Sequence, residues 1–417
     1  MENHMSYLFN NKVGFEDGAV DAFNRLKVAT PFTLFDSQHR YKDNGKFDTA
    51  VVNGGTTSYL SNQSSVDMVI GTTAGAAVTR QTKRIFAYQP GKSLLVLNTF
   101  VMNVGKANLT QRVGFYNQDN GIYFEQAGLL GISLAFVLRS SVTGSSAERR
   151  VYQGEWNGDK LDGSGASGIT LDPTKGNIFW MDVEWLGVGD VRCGFFHDGK
   201  PVIAHTFHND NLYSTPYMTT ACLPIRAEIF NGNTAGSGST LKTICSSVIS
   251  EGGFEPISPL FHVGTTLAPV NLATAGEYYH VASIRLRSDR LDSIVIPANI
   301  SAAIIPANAN QPRVVRWELF SNATLTNAGW TAHSANSAVE YAYPSGGAIS
   351  VSGGTSIRSG YFDSNAILEL GGSDGAREFS YQLGHTIGGT SDTVTLVVSP
   401  YTDGTSFLGE LGWFELL

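Results

Sequence analysis

Cysteine is scarce: the 417 residues hold three, Cys193, Cys222 and Cys245. An odd number without CxxC spacing sets aside both a disulfide framework and a zinc ribbon, and suits assembly in a reducing cytoplasm. Charged types make up only 15% of the chain, with a formal net charge of -8. A chain of this sign repels phosphate backbones, and no long Lys/Arg run offers a local exception, so nucleic-acid binding is not expected. Long apolar runs are missing too. The longest, Gly128 to Leu138, is too short to cross a bilayer, so no membrane insertion is expected. Residues 1–18 lack the basic start and apolar stretch of a secretory signal. No segment has the length and 3.6-residue periodicity of a packed helix.

What is present is glycine, 46 residues, and aromatics, 11%. That balance suits many short strands joined by tight turns, hence an all-β chain. At this length two or more packed units are expected. Strands are predicted at Ser93–Met102, Arg112–Tyr116, Gly121–Gln126, Ile132–Leu138, Ile178–Leu186 and Val191–Phe196, punctuated by turn residues. His197-Asp198-Gly199-Lys200 joins the last of these to Val202–Phe207 and signals a tight hairpin with positive φ at its centre. The expected fold is a jelly-roll-like antiparallel β-sandwich with an N-terminal arm and a second, smaller β-sandwich. Prolines at 297, 306 and 312 mark a linker at 301–312, which gives an arm at 1–50, a main sandwich at 51–300 and a C-terminal β domain at 313–417. Within the arm, Ala19, Phe23 and Leu26 recur at helical spacing, and Phe32-Thr33-Leu34-Phe35 alternates in part. Phe23, Leu26, Phe32 and Phe35 are the candidate anchoring residues; docking on a neighbouring subunit and packing on the chain's own domain both remain open.

Period-two alternation over 178–185 puts Phe179, Met181, Val183 and Trp185 on one face and Trp180, Asp182 and Glu184 on the other. A sandwich glycosidase of the laminarinase-like type carries Glu-x-Asp-x-Glu on one strand face. Here Trp180 stands at the first position, and retaining hydrolysis needs a carboxylate nucleophile with a second carboxyl about 5 Å away. Indole cannot attack an anomeric carbon, so no catalytic residue is assigned. Trp180, Asp182 and Glu184 are retained as a candidate glycan-contact face, the ring for stacking and the carboxylates for hydroxyls. Asp159, Asp162 and Asp172 lie in an oxygen-rich loop without EF-hand spacing. His197, His205, His208 and Asp210 surround one hairpin without a zinc pattern. Tyr88-Gln89-Pro90-Gly91-Lys92-Ser93 has the end of a phosphate loop but neither its upstream glycine nor its helix. No cofactor and no metal is expected.

The stretch Asp21-Ala-Phe-Asn-Arg-Leu-Lys-Val-Ala-Thr-Pro-Phe-Thr-Leu-Phe-Asp-Ser-Gln-His-Arg-Tyr41 resembles the N-terminal signature of a group of tailed-bacteriophage virion structural proteins. So does Arg80-Gln-Thr-Lys-Arg-Ile-Phe-Ala-Tyr-Gln-Pro-Gly-Lys-Ser93, with further similar stretches at 112–126, 156–163 and 182–211. The resemblance implies a non-enzymatic particle component, assembled in the host cytoplasm and placed on the virion exterior. A tail-fibre or baseplate-associated role leads, capsid decoration is the close variant, and a glycan-binding or glycan-cleaving sandwich protein is the alternative from another class. Its expected partners are itself, as a homotrimer, other virion proteins and host surface glycan.

Overall fold

The computed structural model describes residues 29–128, 131–234, 236–255, 257–265, 267–305, 313–344, 348–364, 368–370 and 381–416. The helical spacing around Phe23 and Leu26 lies outside the described residues. The first unit contains β1 (Phe32–Gln38), β2 (Phe47–Val52), β3 (Thr56–Leu60), β4 (Ser65–Ile70), β5 (Ala77–Thr82), β6 (Leu94–Val101), β7 (Leu109–Tyr116) and β8 (Gly121–Ala127). It continues through β9 (Ser133–Ser140), β10 (Ala147–Tyr152), β11 (Asn177–Val183), β12 (Val191–His197), β13 (Lys200–Phe207), β14 (Ile225–Asn231) and β15 (Ser239–Ser250). One sheet runs β13-β12-β11-β6-β15-β4-β3 with β1 added on β15; the other runs β10-β9-β8-β7-β14-β5-β2. The expected hairpin joins β12 and β13, with Asp198 and Gly199 at φ 47° and 73°.

The inner faces of these sheets meet in an aromatic core. Phe124 and Phe136 come from one sheet, Phe179 and Phe195 from the other, and all four are buried. Phe136 stacks on Phe179 at 5.7 Å, Phe124 meets Phe195 edge-on at 5.2 Å, and Trp156 covers Phe136 at 4.4 Å. The period-two alternation of each strand puts these rings on a common side.

The outer face of the seven-stranded sheet is paved rather than wetted. Glu125 accepts hydrogen bonds from Arg112 (2.8 Å) and Arg150 (2.7 Å), Arg139 donates to Glu148 (2.7 Å), and Arg226 pairs with Glu228 (2.5 Å). The Arg112 and Arg139 guanidiniums lie over Tyr123, at 5.2 and 5.1 Å. Gly114 permits this: a Cβ there would stand 2.5 Å from the Tyr123 backbone. The cross-strand pairs Arg112–Glu125 and Arg139–Glu148 are in direct register, so the ladder itself brings opposite charges together.

The second unit comprises β16 (Leu260–Gly264), β17 (Val270–Leu272), β18 (Tyr279–Leu286), β19 (Ile294–Ile305), β20 (Val314–Ser321), β21 (Thr324–Thr326) and β22 (Thr331–Ala332). It closes with β23 (Val339–Ala342), β24 (Ser350–Ser352), β25 (Thr355–Asp363), β26 (Leu368–Leu370), β27 (Thr393–Pro400) and β28 (Thr405–Leu416). Its sheets run β16-β28-β19-β26, with β17 on β28, and β22-β23-β18-β27-β20-β25; β21 pairs with β24. Trp317, Phe407 and Trp413 are buried in a core separate from the first. The antiparallel, all-β sandwich expectation holds.

Two boundaries are corrected. Residues 260–300, expected in the first sandwich, and 301–305, expected in the linker, pair with β27 and β28 near the C-terminus, so the division falls between Ser250 and Leu260 rather than at 301–312. Pro297 does not interrupt β19 because it sits at a register shift opposite Trp413. The stretch expected as an arm also contributes strands: β1 pairs along β15 and β2 along β5 of the same chain. Phe35 is buried against Phe86 at 4.8 Å, and Phe32 stacks on Phe254 at 5.6 Å. Between the units, the Gln382 amide donates to the Ile85 carbonyl (2.7 Å) and the Ile387 N–H to Asp48 (2.7 Å), beside an apolar contact of Ala87 with Ile294 and Ile296.

Two buried histidines and one ion-paired carboxylate set an acid limit on stability. Burial pushes His280 down to about 4, and burial, reinforced by Arg149 and His208, does the same to His205. Burial would raise the Glu148 carboxyl, but hydrogen bonds from Tyr123, Arg139 and Arg150 and the charge of Arg112 outweigh it and hold it at about 2. All three groups bind protons more readily in the unfolded chain, so stability falls as pH falls. The urea midpoint is expected to drop between pH 6.5 and 4 through the histidines, and further from 4.5 toward 2 through Glu148. Glu148→Gln should flatten the lower part of that profile; an unchanged slope below pH 4.5 would contradict the assigned network.

Candidate functional site

Strand β11 lies in the middle of the eight-stranded sheet, with β12 on one side and β6 on the other. Phe179, Met181 and Val183 point into the core and are fully buried, in the phase read from the sequence. Trp185 follows them, edge-on to Tyr88 at 5.6 Å. On the outer face three cross-strand pairs follow one another: Ile178 opposite Phe196, Trp180 opposite Gly194, and Asp182 opposite Arg192.

The middle pair corrects an expectation. Trp180 is only 5% exposed and offers no open ring face to a sugar. Its indole packs against Phe196, at 6.3 Å between ring centres, and over Gly194, where a Cβ would stand 3.1 Å from the ring. Asp182 is 7% exposed and accepts a hydrogen bond from the Arg192 guanidinium; its other carboxylate oxygen is buried without a partner. Glu184 is exposed just beyond the strand, where its N–H donates to the Asp190 carbonyl (3.1 Å). The three residues grouped by sequence therefore divide into a buried floor, a clamped carboxylate and a free one.

Above Asp182 opens a cleft of about 430 Å³, bordered by Lys92, Ser93, Glu184, Asp190 and Arg192. Lys92 comes from the loop that ends in Gly-Lys-Ser, but that loop leads into β6, not into a helix. Beside the free Glu184, three polar groups are steadied: the Lys92 ammonium donates to Gln89 (2.8 Å), Ser93 to Glu251 (2.7 Å), and His208 bonds Asp190 (2.8 Å). A separate apolar trough of about 520 Å³ lies along the same strands, lined by Leu97, Thr99, Ile178 and Phe196 with Ser246 and Ser247. A surface of fixed hydroxyl, carboxylate and ammonium groups beside exposed apolar side chains can hold a polyol through hydrogen bonds and C–H contact. Acid–base cleavage has no such support, because an indole occupies the nucleophile position and Asp182 is held by a guanidinium.

Asp190 and Arg192 lie in no sequence motif, and Lys92 figures in one only as part of the incomplete phosphate loop. The alternation of Val191–Phe196 against 178–185 carries the signal for Arg192, but only once the hairpin register is known. The other candidates serve local structure. Asp159, Asp162 and Asp172 accept backbone N–H groups of Leu161, Ser164 and Thr174, each at 2.9 Å, and thereby close turns. His205 is buried against Phe207, whereas His197 stands exposed at the far end of the same hairpin. Among the described residues no group of three or more His, Cys, Asp or Glu side chains is placed to hold a metal ion.

No protein-family model matches the sequence, and no curated protein matches it. Solved structures give distant likenesses. The carbohydrate recognition domain of Emp47p aligns over 57% of this chain and 99% of its own at 12% identity, TM-score 0.32. A Bacillus licheniformis β-glucanase aligns over 52% and 97% at 11% identity, TM-score 0.34. The CBM2 module of the evolved Dit of Lactobacillus casei BL23 phage J-1 aligns over 55% and 100% at 7% identity, TM-score 0.36. Likenesses at this level leave the fold to be read from the chain's own sheets.

Proposed function

We propose that the protein is a non-enzymatic structural protein of a tailed-phage exterior, and that the first sandwich meets host surface glycan through the outer face of its eight-stranded sheet. The observation that carries the glycan part is the polar cleft above Asp182 with an apolar trough on the same strands, and an indole where a sandwich glycosidase would need a carboxylate. The particle part rests on the stretches 21–41 and 80–93 and on the low charge of the chain. On this reading the chain self-associates as a homotrimer and sits on a tail fibre or baseplate.

The test joins two measurements. Imaging of intact particles should place the chain on the tail or a projecting fibre; a regular lattice over the capsid would instead establish decoration, and absence from purified particles would overturn the particle role. Lys92→Ala combined with Glu184→Gln should lower binding to host cell-wall polysaccharide at least tenfold, with no reducing ends released by the unaltered protein. Unchanged binding, or steady release of reducing ends, would overturn the glycan-contact role of this face.

A further inference from the structure

The second sandwich contains a larger opening, about 810 Å³, where the β16–β17 connection and the segment after β23 meet the start of β18. Its character differs from that of the first cleft. Three tyrosines, Tyr278, Tyr279 and Tyr343, border it together with Glu277, Asn271 and His280.

Each ring is fixed before any ligand arrives. The Tyr278 hydroxyl donates to Glu318 (2.9 Å), itself paired with Arg316 (2.9 Å), and the ring meets Phe320 edge-on at 5.7 Å. Despite these ties Tyr278 remains 43% exposed. The Tyr279 hydroxyl accepts the Thr274 N–H (2.7 Å), and Tyr343 stacks on Tyr341 at 5.8 Å. Rings held in this way lose little freedom when they are covered, which lowers the cost of binding. Glu277 and Asn271 stand exposed at the rim as hydrogen-bonding groups.

His280 supplies a second, independent observation. It sits at the β-bulge where the pairing of β18 with β27 shifts between His280 and Ala282. Its Nε2 bonds the Ser283 hydroxyl (2.7 Å), while Nδ1 has no hydrogen-bond partner although the residue is only 2% exposed. A buried polar atom without a partner is costly, and the structure carries that cost at the wall of the cleft. Bulges recur where a side chain is re-aimed toward a binding site.

We infer that this cleft is a carbohydrate-binding site of its own, selective for neutral oligosaccharides. Tyrosine faces take the C–H surface of a pyranose, and the rim carboxylate and amide take its hydroxyls. Among the described residues that border the cleft there is no Lys or Arg, and nearby Arg316 is engaged by Glu318. A sialylated or phosphorylated sugar would therefore meet Glu277 without a counter-charge. The cavity lies within the usual range for small-ligand sites, about 300–1,000 Å³.

The experiment titrates the full chain with cellohexaose, maltohexaose and chitohexaose, and with sialyllactose and glucose 6-phosphate as anionic probes, followed by calorimetry and ligand-observed NMR. At least one neutral hexasaccharide is expected to bind, neither anionic probe to compete, and Tyr278→Ala to weaken binding at least tenfold. Tyr278→Phe, which keeps the ring, should stay within threefold of the unaltered chain. Glu277→Gln, at an exposed position, should cost a few-fold and serves as the test if Tyr278→Ala fails to fold. Lys92→Ala in the first cleft should leave this binding unchanged. No binding by any neutral probe, equal binding of the anionic ones, or loss through Lys92→Ala but not through Tyr278→Ala would overturn the inference; the last result would leave the first cleft standing.

Discussion

Glu125→Ala is expected to lower unfolding free energy by about 3–5 kcal/mol, the range found when one partner of a buried ion pair is removed. Glu125 is 2% exposed and accepts from Arg112 through one oxygen and from Arg150 through both, at 2.8, 2.7 and 3.2 Å. Without it two guanidiniums face each other across the sheet with only Glu148 and Glu228 left to balance them. Glu125→Gln should cost less, since the amide oxygen still accepts one hydrogen bond. Urea unfolding of the three proteins checks this; a loss below about 1 kcal/mol for the alanine variant would mean that the face is solvated like a surface ion pair.

Phe136→Ala is expected to cost a similar amount, about 3–5 kcal/mol, by leaving a cavity between close-packed rings. Phe136 is fully buried and touches both sheets and the covering loop through Phe124, Phe179 and Trp156. Its effect should fall on one sandwich only, because the core of the second unit is separate from that of the first. Differential scanning calorimetry of the full chain should show a first transition displaced to lower temperature and a second left in place. One transition moving as a whole would show that the contacts of Gln382 and Asp48 make the two units unfold together.

These predictions bear on function because both clefts depend on frames that their own residues do not build. The polar cleft of the first sandwich rests on β11, whose inner face is the aromatic core, so a collapse around Phe179 would displace Asp182 by way of its own strand. The tyrosine cleft of the second rests on β18, which is held between β23 and β27. A glycan-binding loss in a core variant would therefore report on the frame, whereas a loss in Lys92→Ala or Glu277→Gln reports on the surface.

What the sequence determined by itself is local. Strands β6 to β9 and β11 to β13, the Asp198-Gly199 hairpin and the inward phase of Phe179, Met181 and Val183 follow from period-two alternation and turn chemistry, which act within a few residues. Only the tertiary structure decided which distant strands pair. β19 and β16 join β28 across more than a hundred residues, and nothing in the local pattern of 260–305 marks that choice. The same holds for Trp180: its outward phase was legible, but its burial depends on Phe196 and Gly194 from the neighbouring strand. The Arg–Glu–Tyr paving, the Asp182–Arg192 clamp and the gathering of Tyr278, Tyr279 and Tyr343 likewise exist only after registers are set, because side-chain contact across a sheet is a property of pairing and not of either strand alone.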